Sequence, residues 1–310
     1  MYGYACINTE LNSLPKSKRV TTNRTMRKAT FEKNGLDYVS ELVLQNITDL
    51  EKIFHWNEDH NIRFYRMSSE MFPWSSEYDL CDLKDWDSIA DILDRCGKFA
   101  SQYGHRISYH PGHFVKIASV REETQLNSLK EIEHHAEVMD WMGLPQDHRS
   151  KINIHVGAVY ESKEFTAQRV QNAVSRLSKS ARSRLTFEND DKGSLWSVRD
   201  LYELVFPLTR VPIVFDYHHH SLLPDGLTEE QALRLACLTW EDKSIKPVTH
   251  YSQSRSIEKN EPKTKPQAHS DLYWTVPDTY GLDIDIMCEC KLKEQGIYAL
   301  WNMEGKNNER

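Results

Sequence analysis

A carboxylate and three imidazoles close a short apolar run at residues 213–220, Ile-Val-Phe-Asp-Tyr-His-His-His. The β-branched and aromatic residues before Asp216 are typical of a buried parallel strand. Carboxylates and imidazoles are costly to bury unless a partner satisfies them, and a bound cation is a common partner. The segment therefore predicts metal ligands at the end of a strand. For this segment alone, a solvated loop that contains histidines is the alternative.

The same order of residues, an apolar run closed by a metal-ligand side chain, recurs along the chain. Because the carboxyl ends of the strands of a parallel barrel open onto one face, residues distant in sequence converge there. We expect one site, to which Glu77, in the loop after the second strand, and His269, in the loop after the seventh, also belong. The other candidates are Asn8, His110, His155, Glu188, Asp216, His219, His250 and Glu289.

The mixture of ligands narrows the chemistry of this site. Histidines and carboxylates without cysteine suit Mn²⁺, Zn²⁺ or Fe²⁺ better than a cysteine-rich structural zinc site. The candidates exceed what one ion can use, and Glu188 or Asp216 can bridge, so two or three neighbouring ions are expected. Clustered ions suit phosphoryl transfer, because one activates water while another stabilises the leaving oxygen. A sugar isomerase with a single metal is the alternative, although it needs fewer ligands.

Eight predicted strands, each followed by a helix or a helix-bearing segment, must position these residues. Eight such units predict an α/β fold, a single TIM (β/α)8 barrel over residues 1–310. A doubly wound sheet is the alternative, but its site lies at one switch point and not after nearly every strand. The predicted strands are 3–8, 62–67, 106–109, 152–155, 185–188, 211–216, 247–250 and 283–288. The predicted helices are 40–60, 89–103, 122–141, 165–180, 198–206, 229–238 and 292–301.

Composition excludes several classes of protein. No apolar run approaches the roughly 18 residues of a membrane span, and the N-terminal residues lack the basic and apolar regions of a secretory signal. Six cysteines without a CxxC pair are typical of reduced thiols, so we expect a cytoplasmic protein. We also expect a monomer with no membrane partner. P-loop, GxSxG and GxGxxG motifs do not occur, so nucleotide hydrolysis, serine hydrolysis and dinucleotide redox chemistry lack support.

The net charge of −7 conceals a basic segment between Lys16 and Lys33, which holds seven basic residues and one acid. We expect this segment to be an irregular loop up to about Ser40. One interpretation is a solvated, charged loop. The other is a set of phosphate contacts beside the site, in which Arg24 and Arg27 bind nucleic acid.

Short motifs spread over almost the whole chain form one pattern. They are Gly3-Tyr4 with Asn8, Thr21-Thr22-Asn23-Arg24-Thr25, His110-Pro111-Gly112, His155-Val156-Gly157, Glu188-Asn189-Asp190-Asp191, Asp216-Tyr217-His218-His219, His250 and Glu289-Cys290-Lys291-Leu292-Lys293-Glu294-Gln295. Together they resemble the UV damage endonucleases, metal-dependent TIM-barrel DNA repair enzymes related in fold to endonuclease IV. No single motif would be specific.

This resemblance implies incision of double-stranded DNA on the 5′ side of a UV photoproduct, leaving a 3′-hydroxyl and a 5′-phosphate. It implies up to three divalent ions, with Mn²⁺ expected and Zn²⁺ or Mg²⁺ as alternatives. Glu188, Asp216 and Glu289 would be catalytic, and Tyr4 and Asn8 would line the lesion pocket. The implied metal ligands are Glu77, His110, His155, Glu188, Asp216, His219, His250, His269 and Glu289.

Three positions depart from the family's pattern. His113-Phe114 replaces a Gln-Tyr pair that probes the duplex at the lesion, and because Phe keeps an aromatic face we expect probing with altered selectivity. Glu77 replaces a metal-binding histidine and adds negative charge. Val248 stands where members commonly carry a lysine near the metals, and we expect that Lys246 does not substitute for it.

Two further hypotheses remain open at this point. The first is an abasic-site endonuclease, which needs the same metal chemistry. The second is a lesion-binding protein that has lost catalysis through Glu77 and Val248, and binding without nicking in Mn²⁺ would support it.

Overall fold

Eight short parallel strands form one sheet in the computed structural model, which describes residues 1–112, 114–242 and 244–305. Each strand lies near a predicted one, although most are shorter at one or both ends. The strands are β1 (Tyr2–Ala5), β2 (Phe64–Arg66), β3 (Arg106–Ser108), β4 (Ile152–His155), β5 (Leu185–Glu188), β6 (Ile213–Asp216), β7 (Val248–Tyr251) and β8 (Asp285–Cys288).

The order of the strands in the sheet is β3-β2-β1-β8-β7-β6-β5-β4, with every pairing parallel. The two edges meet beyond the end of β3. There the Tyr109 N–H donates to the Lys151 carbonyl at 2.9 Å, and the Asn153 N–H donates to the Tyr109 carbonyl at 2.9 Å. These bonds bring β3 beside β4 and nearly close the sheet into a barrel. The predicted TIM-barrel class is therefore confirmed.

The helices follow the strands in alternation, as predicted. Residues 198–209 form one helical stretch in which a π-helical turn, Leu201–Val205, joins two short α-helices. The α-helices are α1 (Thr9–Asn12), α2 (Lys28–Asp59), α3 (Trp86–Tyr103), α4 (Glu122–Trp141), α5 (Lys163–Ser175), α6 (Lys179–Arg184), α7 (Val198–Asp200), α8 (Phe206–Thr209), α9 (Tyr217–Leu222), α10 (Glu229–Leu238), α11 (Arg255–Glu258) and α12 (Glu294–Met303).

The first long helix differs from its prediction. Helix α2 begins at Lys28, so the expected irregular loop up to about Ser40 is wrong for its second half. The helix is kinked at Gly35, whose φ of 67° lies in the left-handed region. Most residues before Val39 are exposed or only half-buried. An exposed turn shows no apolar periodicity, and this explains why the pattern of the sequence revealed only the buried part of the helix.

Inside the barrel, apolar and polar side chains occupy different levels. Phe64, Val214, Val248 and Met287 belong to a buried cluster of inward-facing residues. Because side chains of a strand alternate in direction, residues two positions further along β2, β6 and β7 also face inward, above that cluster. Those inward positions carry the polar side chains of the site. None of the helices within the described ranges is long and apolar enough to cross a membrane.

The packing of α3 against the end of α4 supplies a test of the fold. A Cβ atom placed on Gly97 would lie 1.6 Å from the Met142 carbonyl oxygen, which is backbone and cannot rotate away. We expect Gly97→Ala to lower the free energy of unfolding by about 1–3 kcal/mol or more through overpacking, measured by urea denaturation. Gly193→Ala is the matched control, because no atom lies within 4 Å of its added methyl group. Equal stabilities of the two variants would contradict this helix contact.

Candidate metal centre

The Glu188 carboxylate lies at the centre of the polar cluster at the carboxyl end of the barrel. Its side chain ends β5 and is 1% exposed. Its Oε2 lies 3.2 Å from His110 Nε2 and 3.0 Å from His250 Nδ1. Its Oε1 faces a different pair, at 3.3 Å from His219 Nδ1 and 3.9 Å from His155 Nε2. Each carboxylate oxygen therefore faces its own two histidines.

Among the residues that the structure describes, three groups of ligand atoms have a spacing that could hold metal ions. Within each group the atoms lie within 4.8 Å of one another. Glu188 belongs to two of the groups and His250 to two. The groups are His110 with Glu188 and His250, His155 with Glu188 and His219, and Asp216 with His250 and Glu289. The shared residues join the three groups into one centre, so a carboxylate that bridges two ions fits this geometry.

Strand register explains why residues distant in sequence meet here. His155 pairs with Glu188 across β4 and β5, and Asp216 pairs with His250 across β6 and β7. Asp216 is also the N-cap of α9, where its Oδ1 accepts the His219 N–H at 2.7 Å. Because a cap residue and the third residue of its helix face each other, this contact sets the position of His219 relative to Asp216.

Asn189, the residue after Glu188, fixes the end of β6. Its Nδ2 donates to the Asp216 carbonyl at 3.1 Å, and its Oδ1 accepts the Asp216 N–H at 2.8 Å. Its own carbonyl oxygen lies 2.9 Å from His219 Nδ1. The side chain and backbone of one residue thus hold Asp216 and His219 in place.

The charges of the centre depend on one another. Burial by itself raises the pKa of Glu188, but the neighbouring His250 and His155 hold that pKa well below its ordinary value. Burial lowers the pKa of His110 to about 4, so its imidazole is neutral at pH 7. Burial also opposes the charging of His155, yet Glu188 and Asp190 raise its pKa to about 9. Metal ions bind neutral imidazole, so an ion at His155 must displace a proton.

Unsatisfied buried atoms indicate that these residues fit divalent cations. Asp216 Oδ2, His250 Nδ1 and His269 Nδ1 are buried and make no hydrogen bond to any residue in the described ranges. His250 Nδ1 lies 3.0 Å from Glu188 and 3.1 Å from Glu289, but its geometry makes no hydrogen bond to either. Buried ligand atoms without partners are costly, and a cation would satisfy them. Imidazole with carboxylate suits Mn²⁺ or Zn²⁺.

His269 lies at the edge of the centre and Glu77 lies away from it. The ring centroid of His269 is 6.5 Å from that of His219. Burial lowers the pKa of His269, and the charge of Glu289 opposes this shift. Glu77 is exposed and lines a cavity of about 630 Å³ with Lys130 and His134 of α4. A left-handed turn at Trp74 starts the 3₁₀ turn that directs Glu77 there. The structure does not bring Glu77 to the other predicted ligands.

Tyr4 and Asn8 are packed in the interior and do not line an open pocket. Tyr4 is 0% exposed and its hydroxyl donates to Asn57 of α2 at 2.7 Å. Asn8 is 1% exposed, donates to the Tyr4 hydroxyl at 3.1 Å, and caps α1 by accepting the Leu11 N–H at 2.8 Å. Both side chains are therefore buried in the protein without DNA, and their contact with a lesion stays a prediction.

The predicted DNA-contacting residues have different surroundings. Arg24 is bound within the fold, because its Nη2 lies 2.7 Å from Asp49 Oδ2. Arg27 is exposed at the start of α2. Phe114 is 78% exposed beside the turn that follows His110. His113 lies outside the described residues.

Four buried polar residues of the centre were missed from the sequence. Arg66 binds Glu289, Asn153 Nδ2 donates to Glu188 Oε2, and Asp190 Oδ1 lies 3.1 Å from His155 Nδ1. Lys151 Nζ, fully buried, lies 3.3 Å from His250 Nε2. A search for polar residues that continue the period-two inward register of each strand could have found them.

Val248 stands where family members commonly carry a lysine, and the structure shows which lysine lies near His250 instead. Val248 is buried among apolar residues inside the barrel. Lys246, one period earlier, is half exposed and pairs with Asp283 at 2.7 Å. Lys246 therefore does not replace a lysine at position 248, as expected. The buried amine near His250 comes instead from Lys151, just before β4.

Comparison with known proteins places this geometry in a family. The family model described as UV-endonuclease UvdE matches residues 1–309. A UV-damage endonuclease of Schizosaccharomyces pombe is 36% identical over 314 residues, which are 96% of this chain and 49% of that protein. This chain spans about half the length of that relative and of a similar one from Neurospora crassa.

Solved structures show the same relation. The crystal structure of SacUVDE superposes with a TM-score of 0.83 and 30% identity, covering 100% of this chain and 99% of that one. Endonuclease IV from Thermus thermophilus superposes with a TM-score of 0.53 and 12% identity, covering 83% of this chain and 92% of that one. At that identity the second likeness shows the fold alone.

The buried amine of Lys151 predicts a dependence of stability on pH in the metal-free protein. Burial lowers the pKa of Lys151 from 10.5 to about 7. Between pH 7 and 9 the unfolded chain therefore keeps a proton on this amine that the folded chain releases, so Lys151 contributes a rise in stability of roughly 1 kcal/mol per pH unit. His155 contributes in the opposite direction, because its pKa is raised in the folded chain. We expect Lys151→Met to lower the slope of stability against pH by the contribution of Lys151 relative to the wild type, measured by urea denaturation in EDTA.

Lys246→Met is the matched control for this measurement. Its ion pair with Asp283 raises the pKa of Lys246, so this lysine is charged in both states between pH 7 and 9 and adds no slope. Identical slopes for the wild type and Lys151→Met would contradict the lowered pKa of Lys151.

Proposed function

This chain belongs to the UV-endonuclease UvdE family, and we propose that it nicks double-stranded DNA on the 5′ side of UV photoproducts with a centre of two or three divalent ions. The observation that carries the proposal is the Glu188 carboxylate, whose two oxygens face two different pairs of histidines. A carboxylate in that position is suited to bridging two ions. Clustered ions suit the hydrolysis of a phosphodiester.

The residues that would hold the ions are those of the three ligand groups, with His269 at their edge. We propose Mn²⁺ as the natural ion, with Zn²⁺ or Mg²⁺ as alternatives, because the donors are imidazole and carboxylate without thiolate. Bound ions would supply the activation of water and the neutralisation of the leaving oxygen. The proposed ligands are His110, His155, Glu188, Asp216, His219, His250, His269 and Glu289.

The side chains of the barrel end set the conditions for this reaction. Glu188 and Glu289 are held ionised at neutral pH, because nearby cationic groups overcome the cost of their burial and keep their pKa values low. His110 is neutral, so its imidazole has a lone pair with which it would bind a metal ion. The hydrolysis would add a water oxygen to phosphorus and break the P–O3′ bond, which yields the 3′-hydroxyl and the 5′-phosphate. Glu188, Asp216 and Glu289 are the proposed catalytic carboxylates.

Recognition of the duplex would use exposed side chains around the mouth. Phe114 follows His110 by four residues and is 78% exposed. An exposed aromatic ring beside a catalytic cluster can stack on bases that border an extruded lesion. Arg27 and Lys28, exposed at the start of α2, are the proposed phosphate contacts of the basic segment.

One assay tests the proposed activity directly. Supercoiled plasmid, irradiated or untreated, is incubated with the protein in Mn²⁺, Zn²⁺, Mg²⁺ or EDTA, and nicked circles are counted. We expect nicks in irradiated plasmid with a divalent ion and none in EDTA. A depurinated plasmid tests the abasic-site alternative, and nicking confined to that plasmid would contradict the proposal. Binding to irradiated DNA without nicking in any ion would favour the lesion-binding hypothesis.

The bridging position of Glu188 predicts the effect of its replacement by an amide. Glu188→Gln keeps the shape of the side chain but gives up one anionic oxygen, so it should lose bound Mn²⁺ and reduce nicking by more than about 100-fold. Nicking of irradiated plasmid and metal content by mass spectrometry are measured together. Glu203→Gln, an exposed glutamate paired with Arg199, is the control and should retain both. Near wild-type nicking by Glu188→Gln would rule out a multinuclear centre built on this residue.

The exposed ring of Phe114 predicts how damage is distinguished. Stacking on an aromatic side chain contributes about 1–3 kcal/mol per base, so Phe114→Ala should weaken binding to irradiated duplex by roughly 5- to 150-fold. Affinity for the intact duplex and metal content should not change. Fluorescence anisotropy measures both affinities, with Phe165→Ala on exposed α5 as control. If Phe114→Ala kept the full preference for irradiated DNA, Phe114 would not be the probe.

A further inference from the structure

Arg66 is a largely buried cation beside the candidate metal ligands. Metal binding gives it no function, because a guanidinium does not coordinate a metal ion. It ends β2 and follows Phe64 by two positions, so it faces the barrel interior above that ring. Its Nη1 donates to Glu289 Oε1, and its side chain is 13% exposed. Its Nε is buried and makes no hydrogen bond to the described part of the chain. A buried guanidinium keeps its charge, and an unused donor on it is costly.

A cavity of about 430 Å³ opens beside this guanidinium. Its lining includes Arg66, His110 and His155, together with Asp190 and Lys116. The histidines belong to two of the ligand groups, so the cavity adjoins the centre on the side of Glu188. Lys116 is exposed, whereas Arg66 is held in place by Glu289. Of the arginine and the lysine named here, Arg66 is therefore the one whose positive charge is held in place.

We propose that Arg66 contacts a non-bridging oxygen of the phosphodiester that is cut, and that it stabilises the charge on that oxygen in the transition state. This inference rests on the proposed endonuclease activity. A guanidinium suits this task because its planar set of donors matches phosphate oxygens and it stays protonated. Its contact with Glu289 fixes the orientation before substrate binds, which reduces the cost of reorganisation during the reaction.

The step balances without an additional reactant. The water oxygen forms a bond to phosphorus, the P–O3′ bond breaks, and O3′ receives a proton in place of the one that water loses. Arg66 keeps its protons throughout. Its contribution is electrostatic, and the charge that it faces lies on the non-bridging oxygens.

The competing explanation is that Arg66 only orients Glu289. A double-mutant cycle separates the two, because it removes the guanidinium and the phosphate charge independently. The duplexes carry one pyrimidine dimer and, at the linkage 5′ to it, either the phosphodiester or an uncharged methylphosphonate. Affinities of the wild type and Arg66→Gln for both duplexes are measured by anisotropy in EDTA, where neither duplex is cut.

We expect the uncharged linkage to weaken binding by the wild type at least about tenfold more than binding by Arg66→Gln, as for a hydrogen bond to a charged group. Arg63→Gln, an exposed arginine paired with Glu58, is the matched control and should show the wild-type difference. Nicking of irradiated plasmid by Arg66→Gln in Mn²⁺ should fall about 100-fold with metal content unchanged. If Arg66→Gln does not fold, Arg66→Met, which also removes the charge, takes its place in the cycle.

The outcomes distinguish this inference from the proposed function. If the wild type nicks irradiated plasmid but the two changes weaken binding independently, Arg66 does not contact the phosphate and the inference is overturned alone. If the wild type neither nicks nor prefers irradiated DNA, the proposed function fails and the inference fails with it. Coupling in Arg66→Gln, with none in Arg63→Gln, supports the contact.

Discussion

The structure depends on keeping the Glu188 carboxylate ionised at the buried end of a barrel. A carboxylate that is 1% exposed loses its hydration, and that loss opposes ionisation. Four histidines surround it at 3.0–3.9 Å. The charges of His250 and His155, with the hydrogen bond from His110, hold its pKa low. The same crowding leaves Asp216 Oδ2 and His250 Nδ1 without hydrogen bonds in the described part of the chain. Burying these groups is costly without cations, and bound cations would offset that cost.

The barrel supplies the rigidity that such a cluster requires. Ligands at the ends of neighbouring strands are fixed by backbone register, as for His155 beside Glu188 and Asp216 beside His250. The two bonds of the Tyr109 backbone bring the edge of β3 to β4, and they hold the turn that carries His110 at the correct distance from His155. Arg66 and Lys151 then contact Glu289 and His250. The ligands are thus oriented by groups that are themselves buried.

The sequence predicted the fold class and most of the centre because both follow from one repeated pattern. An apolar run that ends in a ligand residue indicates a buried strand and the end of the barrel at which that residue lies. This pattern identified Glu188 and His250. Sequence pattern does not reveal the direction of a side chain where that direction depends on tertiary contacts. Glu77 is turned toward α4 by a left-handed residue, and Tyr4 and Asn8 bond to each other in the interior. Their positions near strand ends gave no sign of this.

Charged residues inside the barrel were missed for a related reason. A lysine next to an apolar strand, such as Lys151, is usually at the surface, and only the inward register of β4 shows that it is buried. The beginning of α2 was missed because its exposed turns have no apolar period. The apolar periodicity of the sequence identifies helices and strands that bury one face. Polar contacts made across the barrel require the three-dimensional register.

The number of ions that the protein binds tests whether Glu188 is shared between two of them. The metal-free protein is titrated with Mn²⁺, and bound ions per chain are counted while their electron paramagnetic resonance spectrum is recorded. A carboxylate shared between two ligand groups predicts two or more ions per chain at saturation, with a spectrum broadened by interaction between neighbouring ions. One ion per chain with the resolved hyperfine spectrum of an isolated Mn²⁺ would contradict a bridging Glu188.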